Sequence, residues 1–151
     1  MKIKTVLWGL ATAALLVSCS GAKLSVANEQ YARGEFYDAA QTYRKVYSKT
    51  NPRKERKLRG EIAFKMAECY RRINMAPRSS AAYQNAIRYD YPDSMALFYL
   101  ARSQQYEGKY KEAIKNYQAY LETNPQSSLA KNGIRAVSYT HLRAHETPEH
   151  L

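Results

Sequence analysis

Three stretches of this chain can be laid over one another. That self-similarity limits the fold more than any other feature, because a repeated unit has to shelter its apolar side against its own neighbours. The first reads RGEFYDAAQTYRKVYSKTNP from Arg33, the second INMAPRSSAAYQNAIRYDYP from Ile73, and the third EGKYKEAIKNYQAYLETNP from Glu107. Shorter segments precede them: SVANEQY from Ser25, KMAECY from Lys65 and YLARSQQY from Tyr99. In this register Ala27, Ala67 and Ala101 coincide, then Gly34, Asn74 and Gly108, then Ala39, Ser79 and Ala113, then Tyr43, Tyr83 and Tyr117. Pro52, Pro92 and Pro125 close the units. The spacing is 40 residues and then 34, and the extra six fall around residues 51–56.

Each unit reads as two helices and a turn. Ala, Lys, Arg, Gln and Glu are good helix formers, and the sparse Gly and Pro sit where short connections are needed. Small residues at Ala27, Ala67 and Ala101 let paired helices approach closely. Gly34 and Gly108 can take positive φ at the turn, and Asn74 tolerates it next best. The three tyrosines are expected to fill the gaps between hairpins. A hairpin of this kind buries one side alone, so neighbours have to stack, and about three are the minimum for stability. Ser127 to Ala136 reads as the start of a fourth first-helix. Cys69 falls beside Met66 and Tyr70, where a small packing residue is expected, not a disulfide partner for Cys19.

These marks resemble the tetratricopeptide repeat family, whose period is 34 residues. The third unit matches best, through Gly108-Lys109-Tyr110-Lys111-Glu112-Ala113. The second departs most, with Asn74 in place of Gly and Ala76 where an aromatic is usual. The resemblance covers residues 23–136. It implies an all-α fold, a right-handed α-solenoid of antiparallel helix hairpins with about three repeats and a truncated fourth first-helix. It further implies a concave groove lined by the first helices, with a protein or peptide partner. The groove positions are Asn28 and Tyr31 in the first repeat, Phe64, Glu68, Arg71 and Arg72 in the second, and Phe98, Arg102, Gln105 and Tyr106 in the third. Arg71, Arg72 and Arg102 would suit an acidic peptide or a C-terminal carboxylate. Equally, charged side chains on an exposed helix face can be merely solvated.

The two ends differ from the middle. Lys2 and Lys4 precede an apolar run at residues 6–17, too short to span a bilayer and matched to a secretory signal core. It ends in Leu16-Val17-Ser18-Cys19-Ser20-Gly21, which resembles a lipobox. The expectation is a signal at residues 1–18, a diacylglycerol on Cys19 and a lipidated linker at residues 19–22. Ser20 after the cysteine resembles outer-membrane sorting. At the other end, residues 137–151 read VSYTHLRAHETPEHL, which resembles the translated read-through of a transposase sequencing adapter and implies a non-native tail.

The three histidines, His141, His145 and His150, all lie in that tail. The middle therefore offers no histidine base, no Gly-rich phosphate loop and no metal-ligand set, so neither an enzyme nor a cofactor or metal site is expected. The net charge is +11, which permits nucleic acid, anionic lipid or an acidic protein surface as a partner; the export signal disfavours nucleic acid. The densest basic run, RKERKLR from Arg53, reads either as a lipid contact or as the solvated lead-in to the second hairpin.

A narrower resemblance rests on the lipobox, the run ANEQYARGEFYDAA from Ala27 and SLAKNGIRA from Ser128. These are similar to Bacteroidota outer-membrane lipoproteins that join tetratricopeptide repeats to a β-propeller and an OmpA-like domain, some of which serve type IX secretion and gliding. The implied function is a periplasmic scaffold anchored to the outer membrane. The rival is a free-standing repeat lipoprotein for nutrient or glycan capture, or for outer-membrane assembly.

Overall fold

The computed structural model describes residues 23–146, and the expected signal, Cys19 and the last five residues lie outside them. Helix α1 covers residues 23–32. It is followed by α2 (Phe36–Lys49), α3 (Arg56–Arg72), α4 (Ala76–Arg88), α5 (Met95–Tyr106), α6 (Tyr110–Thr123) and α7 (Ser128–Glu146). No strand occurs among the described residues. From α2 to α7 each helix packs on the next in order, and α5 also touches α7. This is serial stacking of hairpins, an open α-solenoid, and not closure around one centre.

The repeat marks do what their chemistry predicts. Ala27, Ala67 and Ala101 are fully buried, and Tyr43, Tyr83 and Tyr117 are buried in turn. The three intra-hairpin turns share one geometry. Gly34, Asn74 and Gly108 have φ of 79°, 56° and 75°. After each, a backbone N–H reaches back five residues: Glu35 to Gln30, Met75 to Tyr70 and Lys109 to Gln104, all at 2.9 Å. Such a left-handed C-terminal motif satisfies carbonyls that the helix end leaves orphaned. A fourth copy, at Asp90 (φ 57°), closes α4.

The six extra residues between the first two units mostly lengthen α3, which runs 17 residues against 12 for α5. In the added turn, Arg59 Nη1 donates to the carbonyls of Tyr47 (2.7 Å) and Thr50 (2.6 Å) at the end of α2. Arg56 donates to the Arg88 carbonyl and to Asp90 at the end of α4, both at 2.6 Å. Guanidiniums at two helix C-termini meet both the terminal carbonyls and the negative end of the helix dipole. Part of the basic run is therefore structural, a role that neither sequence reading of it included. Gly60, in the same helix, lets α3 approach α4 closely, since a Cβ there would sit 2.9 Å from the Tyr89 carbonyl oxygen.

Helix α7 crosses residue 136 without a break. Val137 is fully buried beside Ala130, and both belong to the cluster formed by Phe98, Tyr117 and Tyr120. Ala130, Ile134 and Val137 recur at the helical period, so the start of the adapter-like stretch lies within the fold. Gly133 gives Tyr117 its place, because a Cβ there would fall 2.5 Å from the ring.

Candidate functional site

The groove positions sit on α1, α3 and α5; some hold the array together, some face a cavity, and Glu68 and Arg71 do both. The first group centres on the tyrosine hydroxyls. Tyr43 donates to Asn28 Oδ1 at 2.8 Å, and Lys65 Nζ donates to the same oxygen at 2.9 Å. Tyr83 donates to Glu68. Tyr117 donates to Gln105 at 3.0 Å. The shift has a simple cause. Asn28 and Glu68 are acceptors at the same repeat position, but that position in the third repeat is Arg102, which has no acceptor. The Tyr117 hydroxyl therefore turns to Gln105, one helical turn on. Burial pushes the Tyr117 hydroxyl up to about 12. It pushes the Tyr83 hydroxyl up as well, reinforced by the hydrogen bond to Glu68.

Glu68 is 8% exposed and is the most committed of the expected contact residues. Arg71 Nε and Nη2 donate to its two oxygens at 3.0 and 2.7 Å. Burial alone would raise its carboxyl, but the hydrogen bonds from Arg71 and Tyr83 outweigh that and hold it below the usual carboxylate range. Arg71 in turn lies 4.4 Å over the Tyr99 ring, and Tyr83 stacks on Tyr99 with centroids 5.9 Å apart. Glu68, Arg71, Tyr83 and Tyr99 thus tie the second hairpin to the third. Phe98 also belongs to the interior: it is 5% exposed, packed against Tyr117 and Tyr120. Phe98 lines neither cavity, because an aromatic gains more from the inter-hairpin seam than from water, whereas Glu68, though committed to Arg71 and Tyr83, also lines a cavity.

Six of the positions line two cavities. One, of about 410 Å³, is lined by Tyr31, Phe64 and Glu68 with Glu61, Lys65, Tyr91 and Pro92, and the Phe64 and Tyr91 rings stack at 4.2 Å. The other, of about 570 Å³, lies where the second and third hairpins meet. Arg71, Arg102 and Tyr106 line it together with Asn74, Ala76, Pro77, Ser79 and Ser103. Ser79 and Ser103 hydrogen-bond to each other at 2.6 Å across its buried wall. Arg102 lies 6.0 Å from the Phe98 ring centroid and 3.4 Å from the Tyr106 hydroxyl, and Tyr106 is 74% exposed. Arg72 is exposed, 5.0 Å over Phe36. Sequence reasoning missed Glu61 and Lys65, although both share the helical face of Phe64 and Glu68. It also missed the wall supplied by the start of α4, which no first-helix pattern reports.

Residues 95–127 match the tetratricopeptide repeat family profile. The described chain has the tetratricopeptide-repeat fold. Its solved neighbours include the C-terminal TPR-containing domain of a Plasmodium falciparum FK506-binding protein, at 17% identity and a TM-score of 0.69, covering 87% of this chain and 93% of that one. The first TPR of Spaghetti (RPAP3), bound to the HSP90 peptide SRMEEVD, aligns at 18% identity and 0.66, over 82% and 93%. The second TPR domain of human RPAP3, in complex with the HSP70 peptide SGPTIEEVD, aligns at 16% and 0.64, over 77% and 92%. No curated protein matches the sequence. Among the described residues of this repeat array no His, Cys, Asp and Glu side chains gather into a metal-binding group. No described helix is long and apolar enough to cross a membrane.

Proposed function

We propose that this chain is a non-catalytic scaffold that holds an acidic peptide segment of a partner protein, and that it works at the outer membrane through lipid on Cys19. The observation that carries the binding role is the cavity at the junction of the second and third hairpins, with Arg102 and Arg71 on its walls and Tyr106 exposed at its edge. Two of the solved neighbours are complexes with peptides that carry adjacent glutamates and end in aspartate. Guanidiniums suit carboxylates because their fork of donors pairs with both oxygens. Arg71 spends two donors on Glu68, so Arg102 is the principal anion contact.

A random peptide array probed with the protein tests this reading. Acidic residues are expected to be enriched among the bound peptides. Arg102→Glu is expected to weaken them by about tenfold to a hundredfold, the worth of one charge-assisted hydrogen bond. No acidic enrichment, or an enrichment that survives Arg102→Glu, would refute it. The envelope part of the reading is supported by the lipobox and by the runs at Ala27 and Ser128 that resemble outer-membrane lipoproteins of the type IX secretion machinery. Its test is the mass of the mature N-terminus: diacylglycerol on Cys19, absent in Cys19→Ser. An unmodified mature cysteine would remove the anchor.

A further inference from the structure

The turn between α2 and α3 separates two kinds of basic side chain. Arg56 and Arg59 are folded onto the ends of α4 and α2. Lys45, Lys49, Arg53, Lys54 and Lys57 are all exposed. The side chains of these five carry no hydrogen bond or ion pair to any described residue. Glu55, the acid among them, is tied to the turn, where it accepts the Asn51 N–H at 2.7 Å. Five cations without an ion-pair partner among the described residues therefore surround this turn, against the single carboxylate of Glu55. They are held by a turn that is itself fixed, since Asn51 Oδ1 also accepts from the N–H groups of Arg53 (2.9 Å) and Lys54 (3.0 Å).

We propose that this corner is a docking surface for an anionic lipid membrane. Four of the five cations are lysines, point charges on flexible stems that suit a field of headgroup phosphates better than one planar ligand. The aromatic rings nearby are already covered. Arg59 lies 3.8 Å over Tyr47 and 5.1 Å over Tyr89, and Arg56 lies 5.5 Å over Tyr89. These rings are half-buried and already carry guanidiniums, which disfavours the base stacking that single-stranded nucleic acid would use. The five charges are exposed within thirteen residues of chain, and their flexible stems let them reach headgroups of one bilayer. The inference rests on the reading that the protein works at a membrane, but it does not depend on the acyl chain.

The test uses the full chain carrying Cys19→Ser, so that no acyl chain contributes. Sedimentation is measured with vesicles of phosphatidylcholine and phosphatidylglycerol and with vesicles of phosphatidylcholine alone. The protein is expected to prefer the anionic vesicles. Lys49→Gln/Lys54→Gln is expected to lower that partitioning by roughly thirtyfold, about fivefold for each charge lost. Lys111→Gln/Lys115→Gln, which removes two exposed charges on the third hairpin, is expected to leave it nearly unchanged. Equal losses in the two variants would overturn the proposal in favour of diffuse charge. So would no preference for anionic vesicles. Failure here leaves acylation of Cys19, read by mass, untouched.

Discussion

Removing the Glu68 carboxylate is expected to cost the array about 3 kcal/mol, by a route that the structure allows to be separated into parts. Glu68→Ala breaks the paired hydrogen bonds from Arg71, nominally worth roughly 1.5–3 kcal/mol. The Arg71 side chain keeps 30% of its exposure, so the freed guanidinium can rehydrate, and about 1 kcal/mol is the fairer figure. The Tyr83 hydroxyl has no such escape. Tyr83 is fully buried, and an unpaired buried hydroxyl costs about 1–3 kcal/mol. For an array of roughly 120 residues, about 3 kcal/mol lowers Tm by about 12 °C. Urea denaturation followed by circular dichroism, applied to Glu68→Ala, Tyr83→Phe and the double variant, isolates the shared part. With the hydroxyl gone, Glu68→Ala should cost about 1–2 kcal/mol less, which is the coupling energy of the pair. Additivity within about 0.3 kcal/mol would refute the argument, since it would mean that the phenol and the carboxylate do not depend on each other.

Further outcomes follow from the same geometry. Because Glu68 is held below the usual carboxylate range, its native pKa lies under the unfolded value of about 4.3. Its stabilisation is complete above that pH and is lost as pH falls through the native value. Glu68→Gln should flatten this acid limb in stability measured against pH. Gly108→Ala, at φ 75°, should destabilise by about 1 kcal/mol, whereas Asn74→Gly at φ 56° should be neutral or slightly stabilising, both read by urea midpoint. Gly133→Ala places a methyl 2.5–2.9 Å from the Tyr117 ring, which is buried and has nowhere to go. It should cost about 1–3 kcal/mol and raise amide exchange along α7 before the other helices; protection equal to wild type would sink that account.

The repeat itself was legible because its marks are set by local physics. Positive φ at Gly34, Asn74 and Gly108 follows from residue type, and so does the closeness allowed by Ala27, Ala67 and Ala101. The groove was legible only in part. Arg102 and Tyr106 line one cavity and Glu68 another, while Phe98 is packed in a seam and Glu68 is also bonded across one. From the sequence, Glu68 is one acid on a helix. Its commitment depends on Tyr83, fifteen residues on, and on Arg71, which also rests on Tyr99 in the next hairpin. The basic run shows the same limit. Spacing cannot say that Arg56 and Arg59 reach the ends of α4 and α2 while Lys54 and Lys57 do not.

The sequence by itself determined that helices form in pairs, where they turn and that they stack in a row, because propensity, turn chemistry and period are properties of short stretches of chain. Tertiary structure alone decided which polar side chains are consumed within the array and which are left exposed. That division depends on the distance between residues of different hairpins, and no single stretch of sequence contains it.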